Sequence, residues 1–277
     1  MKIVRSIPYL KAARRSMEGS VGFVPTMGYL HEGHLSLVRR TRAENDLTAV
    51  SIFVNPTQFL PNEDFTTYPR DERRDLDLLE KESTDLVFLP ENRDMYPDGH
   101  DTFINVEGLS TVLEGTRRPG HFQGVATVVA KLFNLLEPTR AYFGQKDAQQ
   151  VLVIKKMVAD LNMNVGIIVC PTIREENGLA MSSRNVYLTP EERRHASIIP
   201  QALTAARELL LAGERNADKL RGRMRQIIET APGVQIDYIS VADPETLVEL
   251  KKVEETALAS LAVNFGRTRL IDNIILD

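Results

Sequence analysis

Short apolar runs alternate with amphipathic stretches along the chain, and this alternation predicts a fold before any single residue is considered. Residues 21–26 (VGFVPT) form a short apolar run closing on a proline, the pattern of a buried strand. After a Met-Gly turn, Leu35, Val38 and Thr41 recur at helical spacing, and residues 47–54 (LTAVSIFV) are again apolar and β-branched. Strand, helix and strand within about 34 residues predict the βαβ unit of a parallel sheet. The alternation continues with a helix over 75–83, a strand over 85–89, a helix over 125–136, a strand over 140–143, a helix over 147–161 and a strand over 165–170. Strands that are apolar throughout fit a sheet covered on both faces. Residues 1–175 therefore read as one Rossmann-like, doubly wound α/β domain.

Beyond this point the pattern changes. Thr189, Pro190 and Glu192 supply a cap, a first-turn proline and the closing Glu of a capping box. A long helix is expected from there toward residue 211, and another over 217–230. Val234, Ile236 and Tyr238 then alternate, and 257–263 and 269–276 are apolar. Helices followed by a run of strands predict a smaller α+β domain with a mostly antiparallel sheet over 176–277. This second domain is expected to serve as a lid.

Composition narrows the function. The formal net charge of −4, from 34 basic and 38 acidic side chains, speaks against a nucleic-acid binder, which would show a basic face or stripe, and leaves room for a locally basic pocket, so no nucleic-acid partner is expected. Cys170 is the one cysteine, which excludes an internal disulfide or a zinc cluster and reads as a small buried hydrophobe on a strand. No stretch approaches the ~20 apolar residues of a membrane helix, and the start MKIVRSIPYL lacks an apolar signal region. A cytoplasmic protein without a membrane partner is expected.

Four segments are richer in polar and glycine residues than structure alone requires, and three of them follow a predicted strand, at the sheet edge where open α/β folds bind ligands. The first is Met27, Gly28, Tyr29, Leu30, His31, Glu32, Gly33 and His34. Its two histidines, three apart at a helix start, can both face one ligand, and the helix N-terminus favours phosphate. A solvated pair and a metal site are the alternatives, although HExH lacks the HExxH spacing of a zinc protease. The second, residues 53–59 (FVNPTQF), carries Asn55 and Gln58, carboxamides that suit a hydroxy acid; an ordinary Asn-Pro turn is the alternative. The third contains Gly144, Gln145, Lys146, Asp147 and Gln150, where the glycine admits close backbone approach and the lysine offers a charge to phosphate, or where GQKD is simply a capped turn.

The fourth is Met181, Ser182, Ser183 and Arg184, two hydroxyls beside a guanidinium that suit polyphosphate, or a helix cap in a polar loop. Before it, residues 174–178 form a charged turn able to move over a site. Arg117, Arg118 and His121 precede a helix and either reach an anion or belong to a solvated loop. A P-loop, a GxGxxG fingerprint and a serine-hydrolase elbow are all missing.

Taken in order, PTMG-x-LHEGH, FVNPTQF, RPGHFxGV, YFGQKDxQQ and GLAMSSRN resemble the pantothenate synthetase family, closely from Pro25 to Asn185 and more loosely to the end, through TRLIDNI at 268–274. That family belongs to the HxGH nucleotidyl-transferring superfamily. The resemblance implies an ATP-dependent ligase that joins (R)-pantoate to β-alanine through pantoyl adenylate, releasing AMP and pyrophosphate. It also implies that residues 27–34, Gly144 to Asp147, Ile173 and Met181 to Arg184 bind ATP. On this resemblance His34 would act as proton donor, and His31, Lys146 and Arg184 would stabilise the departing pyrophosphate. Gln58 and Gln150 would bind pantoate, Gln58 would also lie near β-alanine, and Asn55 would belong to the same substrate half. Mg²⁺ accompanies the triphosphate, and a homodimer is expected. Two positions depart from the commonest pattern: Tyr29 stands for a usual alanine and Leu60 for a usual glycine. A nucleotidylyltransferase of the same fold shares HxGH but gives no reason for the two glutamines. A catalytically dead nucleotide-binding regulator should have lost a charged group, yet His31, His34, Lys146 and Arg184 are all present.

Overall fold

The computed structural model describes residues 1–277. They form two compact units, one of residues 1–145 and 149–171, the other of 146–148 and 172–277.

The first unit is built on six strands, β1 (Lys2–Val4), β2 (Val21–Thr26), β3 (Leu47–Ile52), β4 (Leu86–Phe88), β5 (Arg140–Gly144) and β6 (Gly166–Cys170). They make one parallel sheet in the order β1-β4-β3-β2-β5-β6. The connecting helices are α1 (Ile7–Arg15), α2 (Glu32–Glu44), α3 (Glu72–Lys81), the short α4 (Asn92–Met95) and α5 (Glu114–Arg117), then α6 (His121–Leu136) and α7 (Ala148–Asp160). Neighbouring strand residues feed opposite layers. Phe23, Ala49, Phe88 and Phe143 join the core formed with α1, α6 and α7, while Val24, Val50, Val87 and Tyr142 join the one formed with α2 and α3. Burial on both faces is why these strands carry no polar alternation.

From β2 the chain winds outward through β3 and β4, and from β5 it winds the other way to β6. The direction therefore reverses between β2 and β5, and the carboxyl ends of these two strands frame the crevice where such sheets bind ligands.

The second unit carries a three-stranded antiparallel sheet, β7 (Val234–Ala242), β8 (Ala257–Phe265) and β9 (Thr268–Leu276). Its helices are α8 (Pro190–Ala196), α9 (Ile198–Leu211) and α10 (Ala217–Ile228). Leu203, Leu210, Leu220 and Met224 pack with Ala259, Leu261 and Val263 of the central strand. The α/β and α+β classes expected from the pattern are both present.

Three details differ from the expected elements. β1 and α1 have no counterpart among the expected elements: β1 has three residues, and its partner β4 lies far along the chain, with Lys2 opposite Leu86. The single helix expected from 190 toward 211 is two helices, divided at Ser197. Pro200 explains the break, because it cannot donate to the Ala196 carbonyl and its ring crowds that group. The alternation in β7 is interrupted by a register shift between Ile236 and Tyr238, beside which Asp237 pairs with Arg269 at 2.7 Å.

Candidate active site

Leaving β2, the chain makes a tight turn in which Gly28 (φ +81°) and Tyr29 (φ +49°) both adopt left-handed backbone. At Gly28 a Cβ would also meet Ile52 Cγ2 at 2.9 Å. Tyr29, unlike glycine, is strained in this conformation. The turn is held from α3. Asp75, 1 % exposed, accepts the backbone N–H of Tyr29 at 2.6 Å and of Leu30 at 2.7 Å. Burial pushes the Asp75 carboxyl above its ordinary range, against these two N–H groups, which favour the charged form. The Arg74 guanidinium lies 5.3 Å over the Tyr29 ring. The side chain that departs from the family pattern therefore has its own contact.

His31 is the N-cap of α2. Its Nδ1 accepts the N–H of Gly33 at 3.1 Å, and His34 Nδ1 accepts the N–H of His31 at 3.3 Å. The two rings lie side by side with centroids 4.1 Å apart. Since each Nδ1 accepts a backbone hydrogen, each neutral ring carries its own hydrogen on Nε2. Two histidines thus close a capping box, a task usually given to Ser or Thr with Glu. His34 is half-buried, and its bond to the His31 N–H fixes the ring. Glu32 is exposed and paired with Arg39.

After β3, Asn55 is buried and its amide is fully engaged: Oδ1 accepts from Thr57 N and Oγ1 at 3.3 and 3.0 Å, and Nδ2 donates to Gln58 Oε1 and the Gly124 carbonyl, both at 3.1 Å. Gln58, 8 % exposed, points its Nε2 at Met27 Sδ, 3.0 Å away. Met27, Asn55 and Gln58 are therefore brought together. Leu60 needs no left-handed backbone, so a side chain fits where glycine is usual in the family.

Arg118 and His121 neither sit in a solvated loop nor present an unpaired charge. Arg118 grips Glu63 through Nε at 2.5 Å and Nη2 at 2.7 Å, and donates from Nη1 to His121 Nε2 at 3.0 Å. Burial, followed by the charge of Arg118, pushes the His121 imidazole down to about 4, so it is neutral near pH 7.

Gly144 ends β5 and Gln145 follows it; both are half-buried, as is Gln150 on the first turn of α7. Its neighbour Gln149 is spent on structure, joining Glu114 N, Leu109 O and Val112 O at 2.7–3.0 Å.

In the second unit, Lys146 lies 3.4 Å from Asp147 and its carbonyl accepts from Asn273 Nδ2 at 2.8 Å. Ser182 caps the short helical turn Ser183–Tyr187 by accepting from Arg184 N at 3.3 Å. The carbonyl of Ile173 accepts from Met181 N at 2.9 Å. The 174–178 turn is fastened rather than loose: Arg174 forks onto the buried Asp272 at 2.6 and 3.1 Å, and Gly178 N bonds the Glu175 carbonyl. Neighbouring residues of β9, Asp272 and Asn273, thus brace both polar segments of this unit. In the sequence TRLIDNI stands out as a motif without a local sign of its role, and Asp75 carries no signal at all.

Known proteins match along the whole length. The family described as Pantoate-beta-alanine ligase matches residues 2–275. The pantothenate synthetase of Roseiflexus sp. (strain RS-1) is 60% identical over 277 residues, covering 100% of both chains. The crystal structure of pantothenate synthetase from Thermus thermophilus superposes with a TM-score of 0.95 at 49% identity, over 99% of each chain. That of Francisella tularensis pantoate-beta-alanine ligase, complexed with Beta-gamma ATP and Beta-alanine, reaches 0.81 at 38% identity over 99% of this chain and 97% of that one. With fold, motifs and full-length relatives in agreement, the chain belongs to the pantoate–β-alanine ligase family.

Proposed function

We propose that this enzyme joins pantoate to β-alanine in two steps. A carboxylate oxygen of pantoate first attacks the α-phosphorus of ATP, and the bond to pyrophosphate breaks. The β-alanine amine then attacks the acyl carbon, AMP departs with the bonding pair, and the amine gives up a proton. The observation that carries this reading is the pair of imidazoles at the N-terminus of α2, beside the crevice between β2 and β5. Two Nε2–H donors and a helix N-terminus suit an anion whose charge grows as pyrophosphate leaves. A Francisella relative complexed with Beta-gamma ATP and Beta-alanine supports taking both as ligands here.

In this reading residues 27–34 and 144–147 bind ATP together with Ile173, Met181, Ser182, Ser183 and Arg184. His34 donates a proton or hydrogen bond, and His31, Lys146 and Arg184 offset phosphate charge. Gln58 and Gln150 hold pantoate, and Asn55 contributes by orienting the Gln58 amide. No cluster of three or more His, Cys, Asp or Glu side chains is placed to hold a metal. Mg²⁺ would therefore be held mainly by phosphate oxygens and water, and would supply charge neutralisation there. A homodimer belongs to the same reading, and light scattering of the purified chain checks it.

The deciding experiment is isotope exchange. With Mg-ATP and pantoate alone, labelled pyrophosphate should enter ATP. Exchange that strictly requires β-alanine would overturn the two-step scheme.

A further inference from the structure

The segment RPGHFQGV, residues 118–125, stands out in the sequence and has no part in the scheme above. Its contacts give it one. His121 Nδ1 lies 2.7 Å from the backbone carbonyl of Gln58, and since a carbonyl only accepts, Nδ1 carries the hydrogen. The opposite nitrogen, Nε2, then accepts from Arg118 Nη1 at 3.0 Å. Arg118 donates a second bond to the same Gln58 carbonyl from Nη2 at 3.2 Å, and Glu63 fixes the guanidinium in both directions. Three residues further along α6, Gly124 lets the helix lie against the loop: a Cβ there would come 2.3 Å from the Thr57 carbonyl oxygen. Its own carbonyl accepts from Asn55, the side chain that orients the Gln58 amide.

One glutamine is thus held from both ends. The backbone is clamped by His121 and Arg118, and the side chain is aimed by Asn55. We propose that Arg118 and His121 are positioning residues for pantoate, setting the place of Gln58 through its carbonyl and touching no substrate themselves. The inference rests on the assignment of Gln58 to pantoate. It follows that the fork of Arg118 matters and its charge alone does not, because the guanidinium makes four bonds from three separate nitrogens and an ammonium has three hydrogens on one.

Four variants of the full-length enzyme test this, each followed by melting, by titration calorimetry with pantoate and with ATP, and by KM and kcat for pantoate. A misplaced binding group commonly costs about a hundred-fold. His121→Leu and Arg118→Lys are each expected to raise the pantoate KM roughly ten- to a hundred-fold, with ATP affinity within about twofold of the wild type. His121→Asn, whose amide N–H can stand in for Nδ1–H, should recover most of the loss. Normal pantoate affinity in Arg118→Lys would overturn the inference, showing that the fork of Arg118 does not set the place of Gln58. Equal damage from Asn and Leu at 121 would also overturn it, pointing to packing. Should His121→Leu fail to fold, Arg118→Lys decides alone. Gln58→Ala separates the two layers of argument. If it leaves pantoate binding intact, the substrate assignment fails; if it weakens pantoate while Arg118→Lys and His121→Leu do not, only the positioning role fails.

Discussion

The carboxylate of Asp75, carried on α3, accepts two consecutive backbone N–H groups, those of Tyr29 and Leu30. One side chain thereby holds a strained turn in place just ahead of the two histidines. Replacing it by alanine leaves both donors without their acceptor, and each such buried group costs about 1–3 kcal/mol. Asp75→Ala should lose roughly 2–6 kcal/mol in urea unfolding. Asp75→Asn should fall between, since an amide has one acceptor atom and turns its N–H₂ toward a donor. A wild-type unfolding midpoint for the alanine variant would show that the turn is self-supporting.

His34 has two tasks, and they can be measured apart. Its Nδ1 completes the capping box, whose loss costs roughly 1 kcal/mol. Its Nε2–H is the proposed donor to the reacting phosphates, and losing such a group lowers rate by about 10²–10³. His34→Ala should therefore melt only a few degrees lower while pyrophosphate exchange nearly disappears. Exchange at a wild-type rate would reduce His34 to its capping role.

Lys146 is assigned to a phosphate whose charge increases along the reaction, so its ammonium should matter more to the transition state than to the bound ground state. In single-turnover experiments with ATP and pantoate, Lys146→Ala should slow adenylate formation while pantoate affinity holds. Asn273→Ala, which removes the donor to the Lys146 carbonyl, should give a milder version of the same defect. A wild-type rate in Lys146→Ala would remove the lysine from the scheme.

His121 predicts an acid weakness. Unfolded, its imidazole titrates near 6.5, whereas burial beside Arg118 brings it down to about 4 in the fold. Between those values the unfolded chain binds a proton that the folded chain refuses. The stability contribution is therefore complete above pH 6.5 and is lost progressively as pH falls toward 4, by about 3 kcal/mol in all. His121→Asn removes this titration. The stability difference between wild type and variant should narrow, or reverse, from pH 7 to pH 4.5 in paired urea curves. A difference independent of pH would mean that the imidazole titrates normally.

The main strands and helices stood in the sequence because burial on two faces leaves an unbroken apolar run, and helices between them repeat their apolar positions. β1 did not, since three residues carry no period and its pairing with β4 spans the whole of the intervening α1–α3 region. The 190–211 pattern reads as one helix because its apolar spacing continues across Ser197, although Pro200 breaks the turn before it. The polar segments proposed as the site were visible as motifs. What braces them was not: Asp75 reaches back 46 residues to Tyr29, and Asn273 reaches 127 residues to Lys146. Such bonds leave no local pattern, and Asp75 in particular reads only as an acidic residue near a helix start.

The bond from Asn273 to Lys146 also sets an order of events during synthesis. A ribosome adds about 5–20 residues each second. The 127 residues between the two partners thus correspond to roughly ten seconds of elongation. All six parallel strands have been made by Cys170, while the segment 146–148 belongs to the other compact unit and waits for a strand that ends at Leu276. A nascent chain halted short of residue 273 would own a complete parallel sheet and a lysine whose backbone has not yet met its anchor. Loss of even the last few residues should therefore be felt at Lys146, nearly half a chain away.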